Sequence, residues 1–423
     1  MSCPIRIGVA LLFFSGIVFA QRSSSDQETI RLLVQQVKEL QGKVAALEAK
    51  QNPPAAPAQE AKPETSSPPA EGGASDAHES LLQQMHETRG IQWRGFGEMN
   101  YKVLNQRQPE LGTFGFVPGS AGNFYTGDFD LFLTSNITER ASVLSEVVIG
   151  EGDAQSFDVD LERLLFKYDF NDHFQLSLGR YHTGVGYYNL AFHSGKWLQT
   201  AADRPLIMEF ANDGGLLPTQ AVGVSLTGSI SSGALGLGYV AEYGSSDTIR
   251  PNLSGNGGFS DENNGNHFNV GLFSRPRAVL GLEIGGSIYH DRISNFALGP
   301  TVRLGQTIAN AHVVYNGHSI EFLNEGFLLR NAYEHGGPVY NMPAFYSQLA
   351  KRFGKARPYV RYQYVNTNPN SIYGGDILLR HGPSFGARYD VTEAIAFKTQ
   401  LDHTIRKGQA DLNGLQMQLA FAF

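Results

Sequence analysis

The chain has 423 residues and a formal net charge of −7, with 48 glycines, 27 phenylalanines, 18 tyrosines and a single cysteine. This acidic balance disfavours a nucleic-acid partner or attachment to a membrane surface through basic clusters. Abundant glycines and aromatics in short alternating runs are typical of β-barrels and not of an ordinary soluble enzyme.

Residues 1–20 have the pattern of a secretory signal peptide. Arg6 supplies the positive charge, residues 7–18 form the apolar run, and Val18-Phe19-Ala20 forms the cleavage site. The run is shorter than the roughly 20 residues that a spanning helix needs, which disfavours the alternative of a retained anchor. Since Cys3 precedes the run, we expect the mature protein to lack disulfides and thiolate chemistry.

Residues 26–50 form a predicted periplasmic coiled coil. Ser25 and Glu28 make a capping box at its start. The alternative is a lone amphipathic helix packed on a domain, but the proline-rich segment that follows leaves no nearby domain. Isoleucine or valine at a with leucine at d favours a dimer, Val34 at e favours three strands, and the barrel predicted below favours a trimer. The oligomerisation residues follow 3-4 spacing: Ile30, Leu33, Val37, Leu40, Val44 and Leu47.

Two segments connect this helix to the rest of the chain. Residues 51–75 contain six prolines among Ala, Glu and Ser, which predicts a disordered, partly polyproline linker. Residues 76–90 form a predicted short helix, for which capping or plugging the next region is the expected role.

Residues 91–423 consist of short segments that alternate apolar and polar side chains. Phe397 and Leu401 alternate with Lys398 and Gln400, for example. Seven short connections and eight longer, Gly/Asn-rich ones predict 16 antiparallel strands, with 14 or 18 as alternatives. An even number with both ends on the short-turn side is typical of single-chain outer-membrane barrels. The predicted fold class is therefore an all-β transmembrane barrel preceded by an α-helical coiled coil and a Pro-rich linker.

The polar face of these strands carries charges in segment after segment. A soluble sandwich would bury those charges without partners, whereas a water-filled lumen keeps them hydrated. The signs are mixed, so the sequence predicts no strong ion preference; a basic ladder facing an acidic wall and scattered solubilising charge both remain open. The long connection 184–218, after the fifth strand, is the predicted constriction. The candidate pore-lining or constriction residues are Arg94, Glu98, Lys102, Asp128, Asp130, Glu146, Arg180, His182, Tyr187, Tyr188, Arg361, Arg388, Lys398 and Asp402.

Two runs, Phe157-Asp-Val-Asp-Leu-Glu-Arg-Leu-Leu-Phe-Lys-Tyr-Asp-Phe170 and Leu178-Gly-Arg-Tyr-His-Thr-Gly-Val-Gly-Tyr-Tyr-Asn189, resemble phosphate-selective-type porins and their DcaP-like relatives. The resemblance implies a trimeric 16-strand diffusion porin, and in some DcaP-like members an amino-terminal coiled coil. Phosphate-selective members use lysine-rich constrictions, but residues 91–423 contain only seven lysines, none of them clustered. DcaP-like relatives pass dicarboxylates, which implies that Arg180, Arg361 or Arg388 contacts such anions.

The expected function is therefore passive diffusion of small hydrophilic, dicarboxylate-like solutes through the bacterial outer membrane. We expect membrane lipid as a partner, a homotrimer, and a stalk in the periplasm, with no catalytic residues, no metal and no cofactor. One alternative is a barrel-anchored tether or adhesion protein. A membrane-embedded hydrolase is less favoured, since H-E-x-x-H and P-loop motifs are absent from the sequence. Asp158, Asp160 and Glu162 offer a weaker alternative as Ca²⁺ ligands.

Overall fold

The computed structural model describes residues 91–106, 121–151, 157–209, 215–245, 266–294, 303–334, 336–371 and 377–423. The predicted signal peptide, coiled coil, linker and short helix lie in residues 1–90, outside the described residues, and stay predictions. No helix among the described residues is long and apolar enough to cross a membrane.

The described residues form a closed antiparallel barrel of 16 strands, in which each strand pairs with its neighbours in the sequence and β1 pairs with β16. Seven connections lie at one end of the barrel, which we call the short-turn end, and eight lie at the other, so the predicted 16-strand antiparallel barrel is confirmed. The strands are β1 (Gln92–Leu104), β2 (Ala121–Asn136), β3 (Ala141–Glu151), β4 (Phe157–Asn171), β5 (Phe174–His182), β6 (Gln220–Ser229), β7 (Leu237–Ser245), β8 (Asn266–Ser274), β9 (Leu282–Ser294), β10 (Arg303–Asn316), β11 (Ile320–Tyr333), β12 (Val339–Lys351), β13 (Ala356–Asn366), β14 (Leu379–Asp390), β15 (Ile395–Arg406) and β16 (Leu412–Ala422).

The last strand closes the barrel. Met99 pairs with Leu419 and Asn100 with Gln418, so the apolar and polar faces of β1 and β16 are in register. The Gln418 side-chain amide donates to Asn100 Oδ1 at 2.9 Å on the inner face. Because neither strand is left with an unpaired edge, every backbone ladder of the barrel is satisfied within the chain.

The two faces of the barrel are inverted relative to a soluble protein. On β8, Phe268, Val270 and Leu272 point outward and are 46–57% exposed, while His267 and Asn269 point inward and are buried. Successive side chains of a strand lie on opposite faces, so this contrast follows directly from the alternating sequence. An apolar exterior around a polar interior is the arrangement that a lipid bilayer requires.

Candidate functional site

The connection between β5 and β6 lies inside the barrel. We call residues 183–219 the inward segment; it is described over 183–209 and 215–219 and contains helix α1 (Tyr187–Phe192) with 3₁₀ turns at Lys196–Leu198 and Leu206–Met208. Its apolar residues Val185, Tyr188, Ile207, Met208, Leu216 and Leu217 are buried. They pack against inward side chains of β9 to β12, among them Tyr289, Ile308, Leu323, Phe327 and Tyr346.

This packing changes the expected character of the interior. The sequence predicted a polar inner face on strand after strand, but β9 to β12 direct several apolar side chains inward. The inward segment covers those side chains and removes their apolar surface from water. This burial of apolar surface stabilises the inward position of the segment. The interior thus combines a small hydrophobic core with polar walls.

Glu325 on β11 holds the beginning of α1. Its carboxylate oxygens accept the backbone N–H groups of Tyr187 and Tyr188 at 2.7 and 2.9 Å, and the Tyr346 hydroxyl donates to it at 2.6 Å. The first N–H groups of a helix have no partner inside the helix. Three donors therefore satisfy a carboxylate that is fully buried.

Three further buried carboxylates of the wall accept donors from the inward segment. Glu242 accepts the Gly184 N–H at 3.0 Å, Asp130 accepts the Gly195 N–H at 2.7 Å, and Glu321 accepts the Thr200 hydroxyl at 2.7 Å. Acidic side chains from β2, β7 and β11 thus replace water as acceptors for backbone and hydroxyl groups of the segment.

The predicted basic residues of β13 to β15 contact the backbone oxygens of the same segment. Arg361 donates to the Asp203 carbonyl at 2.8 Å, Arg388 to the Gln199 carbonyl at 3.0 Å, and Lys398 to the Ala201 carbonyl at 3.1 Å. All three cations are buried. Their donors are therefore used to hold the inward segment instead of facing an open lumen.

Two ion pairs join the segment to β1. Lys102 Nζ lies 3.2 Å from Asp203 Oδ2, and Lys196 Nζ lies 3.4 Å from Glu98 Oε1. Burial by itself raises the pKa of Asp203, but the ammonium groups of Lys102 and Lys196 outweigh burial and hold that pKa below its ordinary value. Asp203 is therefore anionic at neutral pH and keeps its pairing with Lys102.

Neutral amides complete the attachment, and the sequence prediction omitted them. Gln400 and Gln418 bond both polar groups of Ala202, accepting its N–H and donating to its carbonyl at 3.1 Å each. Gln363 accepts the Leu206 N–H at 3.1 Å. Alternation with Lys398 already placed Gln400 on the inner face, but the candidates chosen on the strands were all ionisable residues.

The remaining predicted residues lie at different places on the barrel wall. Glu146, Arg180 and His182 lie near the start of the inward segment and are buried. Arg94 is exposed near the short-turn end of β1, where it pairs with Phe132 of β2. The Asp128 backbone N–H donates to Glu98, and Asp402 accepts the Gln400 side-chain amide at 2.9 Å. Asp402 thus supports a residue that contacts the segment.

A cavity of about 1280 Å³ remains between the inward segment and the wall formed by β5 to β10. Tyr187, Leu190 and Ala191 of α1 form one side of it, and the connections at 230–236 and 275–281 surround its short-turn end. The neutral polar residues of the facing wall include Gln175, Ser225, Thr227, Ser287 and Asn310.

The charges around this cavity are few and of both signs. Glu283 is paired with Arg275 at 2.7 Å and with His312 at 3.3 Å, and Glu242 is occupied by the inward segment. A cavity whose lining carries nearly compensating charges can hydrate a solute without strongly selecting its sign.

No protein-family model matches the sequence, and no curated protein matches it. Several solved structures are similar in fold. The outer membrane channel DcaP of Acinetobacter baumannii is 8% identical with a TM-score of 0.53, and the match covers 79% of this chain and 97% of that one. OmpF of Salmonella typhi, solved as a complex with daunomycin, is 11% identical with a TM-score of 0.52, and 80% and 99% are covered.

OmpT, an outer membrane protein of Vibrio cholerae solved in a trimer form, is 11% identical with a TM-score of 0.51, and 79% and 99% are covered. At such low identities the likeness is one of fold. The chain therefore has the architecture of a porin-like 16-strand barrel, which agrees with the resemblance seen in the sequence.

Proposed function

We propose that the protein is an outer-membrane channel through which small hydrophilic solutes diffuse down their gradients. The observation that carries the proposal is the cavity of about 1280 Å³ beside the inward segment, inside a closed barrel with an apolar exterior. A barrel of 16 strands is wide enough for an aqueous channel, and the segment reduces its cross-section without filling it. Such a passage sorts solutes mainly by size and hydration.

The finer preference for dicarboxylate-like anions stays a prediction. Arg361 and Arg388 donate to carbonyls of the inward segment, and Arg180 donates to the Glu162 carbonyl at 3.2 Å. The ionisable groups that line the cavity include Arg275, Glu283 and His312, and Glu283 pairs with both of the others. We therefore propose weak charge selectivity as the starting hypothesis, with anion preference as the property to be measured.

The assembly is proposed on similar grounds. The Vibrio cholerae protein OmpT, which shares the fold, has been solved as a trimer, and this supports a homotrimer for the present chain. The predicted coiled coil 26–50 would form the periplasmic stalk of that trimer. The short-turn end of the barrel, at which β1 begins and β16 ends, would then face the periplasm.

Planar-bilayer recording of residues 21–423, refolded in detergent, tests the proposal. We expect stable conductance that rises in groups of three equal steps, one group for each inserted trimer. We also expect a reversal potential near zero across a KCl gradient. A reversal potential whose sign indicates anion selectivity would favour the dicarboxylate hypothesis. A folded, heat-modifiable barrel without conductance would contradict the channel and favour the tether, whose function would be lost when residues 21–90 are deleted.

A further inference from the structure

Three side chains with metal-ligating atoms converge at the base of the inward segment. Glu162 lies on β4, His182 ends β5, and His193 follows α1, and each offers one atom within 4.8 Å of the other two. His193 Nε2 is 3.3 Å and His182 Nε2 is 3.9 Å from Glu162 Oε2. The two imidazole rings stack with their centroids 3.6 Å apart, and both Nε2 atoms lie within 4 Å of the same carboxylate oxygen.

The neighbours of His193 determine which of its nitrogen atoms carries the proton. The Asn189 amide nitrogen donates to the carbonyls of Thr183 and Thr219 at 2.8 and 2.9 Å, so the Asn189 oxygen faces His193 Nδ1 at 2.8 Å. Nδ1 therefore donates, and Nε2 presents a lone pair towards Glu162, with the Gln220 amide 3.5 Å away. A lone pair facing a carboxylate is stabilised by a cation placed between them.

His182 provides an independent observation. His182 is 6% exposed, and its Nε2 atom has no hydrogen-bond partner among the described residues. The same nitrogen lies 3.8 Å from Glu146 Oε2. The other oxygen of that carboxylate, Glu146 Oε1, also has no hydrogen-bond partner among the residues that the structure describes. Buried polar atoms without a partner are uncommon because the lost hydration costs free energy.

The surrounding guanidinium groups have partners of their own. Arg163 pairs with Glu146, Arg180 lies 3.6 Å from Asp160, and Arg204 donates to the His193 carbonyl. Glu162 is thus the carboxylate that the two imidazoles share.

We propose that Glu162, His182 and His193 bind a divalent transition-metal ion of the Zn²⁺ type, with Glu146 as the fourth ligand. Two imidazoles and a carboxylate suit Zn²⁺, whereas Ca²⁺ and Mg²⁺ prefer oxygen ligands. Zn²⁺ bonds of about 2.1 Å place tetrahedral ligands about 3.4 Å apart. The His193 spacing already fits, and His182 would approach by about half an ångström. The ion would join β4, β5 and the inward segment, and Asn189 would orient His193 as an outer-shell partner.

Metal binding to the EDTA-stripped, detergent-solubilised protein tests this assignment. We expect one Zn²⁺ per chain by elemental analysis, and an intense tetrahedral absorption spectrum when Co²⁺ is added instead. Glu162→Gln and His182→Gln should weaken Zn²⁺ binding beyond the roughly 10- to 100-fold that loss of an outer-shell partner costs, and Asn189→Ala should fall within that range. His403→Gln is the matched control, because its ring bonds Asn413 on another part of the barrel.

Heat-modifiable migration establishes that each variant is folded, and the near-isosteric Glu162→Gln decides the matter if His182→Gln does not fold. Unchanged Zn²⁺ affinity in folded Glu162→Gln would overturn the proposal. So would the absence of stoichiometric binding to the folded wild type, or loss of binding on changing His312, which belongs to the separate pair with Glu283.

Discussion

The two sides of the lumen use polar residues in different ways. On the side formed by β11 to β16 and β1, buried Glu325, Arg361 and Lys398 bond to the backbone of the inward segment. On the side formed by β5 to β10, small neutral residues such as Ser225 and Thr227 surround a cavity. The strongly charged wall is the occupied one, and the weakly charged wall is the open one.

This difference teaches that a charge on the inner face of a barrel is not automatically a contact for the solute. A buried charge requires a partner of opposite charge or several hydrogen bonds, because its loss of hydration is costly. Along β13 to β15 the carbonyls of the inward segment supply those partners. Selectivity should therefore be governed by the less charged wall for as long as the segment stays in place.

Removing the inward segment should produce the largest change. We expect replacement of residues 187–208 by a short Gly-Ser linker to raise single-channel conductance severalfold, because the full section of a 16-strand barrel becomes available. Arg361, Arg388 and Lys398 would then be exposed to the lumen, and they should shift the reversal potential towards anion selectivity. Planar-bilayer recording measures both quantities.

Replacement of the connection 407–411 by a linker of equal length is the control for this experiment, and it should leave conductance unchanged. If the folded deletion variant conducts no better than the wild type, the inward segment does not constrict the channel and the comparison of the two walls fails.

The sequence was sufficient for the barrel but not for the contacts inside it. Alternation has a period of two residues, so the faces of β8 or β16 and the short turns between strands could be predicted from local pattern alone. Lys102 and Asp203, in contrast, are separated by 101 positions, and Tyr187 and Glu325 by 138. Such pairings depend on barrel closure and on the heights of residues along the wall, which a local pattern does not contain.

The same reason explains the omissions. Gln400 and Gln418 carry no charge and were not considered, although alternation placed both on the inner face. The cluster of Glu162, His182 and His193 spans two strands and the inward segment, so its spacing of 20 and 11 residues matches no local metal-binding motif. The apolar inner positions of β9 to β12 depend on a cover that the sequence pattern of those strands does not reveal.

Loss of Glu325 should produce an intermediate effect. In Glu325→Ala the N–H groups of Tyr187 and Tyr188 stay buried without their acceptor, at a cost of about 1–3 kcal/mol for each unsatisfied group. Opening of the segment should therefore increase by an order of magnitude or more, since about 1.4 kcal/mol corresponds to tenfold. Limited trypsin cleavage after Lys196 reports this opening.

Glu283→Ala on the open wall is the matched comparison. It removes the partner of Arg275 and His312, so it should shift the reversal potential towards anions and leave cleavage after Lys196 unchanged. Equal protease sensitivity of the Glu325 and Glu283 variants would remove the distinction between a structural wall and a permeation wall.

The smallest effect should come from pH. Because the pKa of Asp203 is held below its ordinary value in the closed segment, its pairing with Lys102 contributes fully above the pKa of a free aspartate, about 3.9. That contribution is lost as pH falls further, through the lower pKa of the folded state. Single-channel recordings should show equal current fluctuation at pH 7 and 5 and increased fluctuation near pH 3.

In Asp203→Asn we expect the increase at every pH, while Asp172→Asn, on the turn between β4 and β5, should retain the wild-type profile. Since Lys102 and Arg361 both contact Asp203, the first through its side chain and the second through its carbonyl, an unchanged profile in Asp203→Asn would mean that the carbonyl contact alone holds this part of the segment.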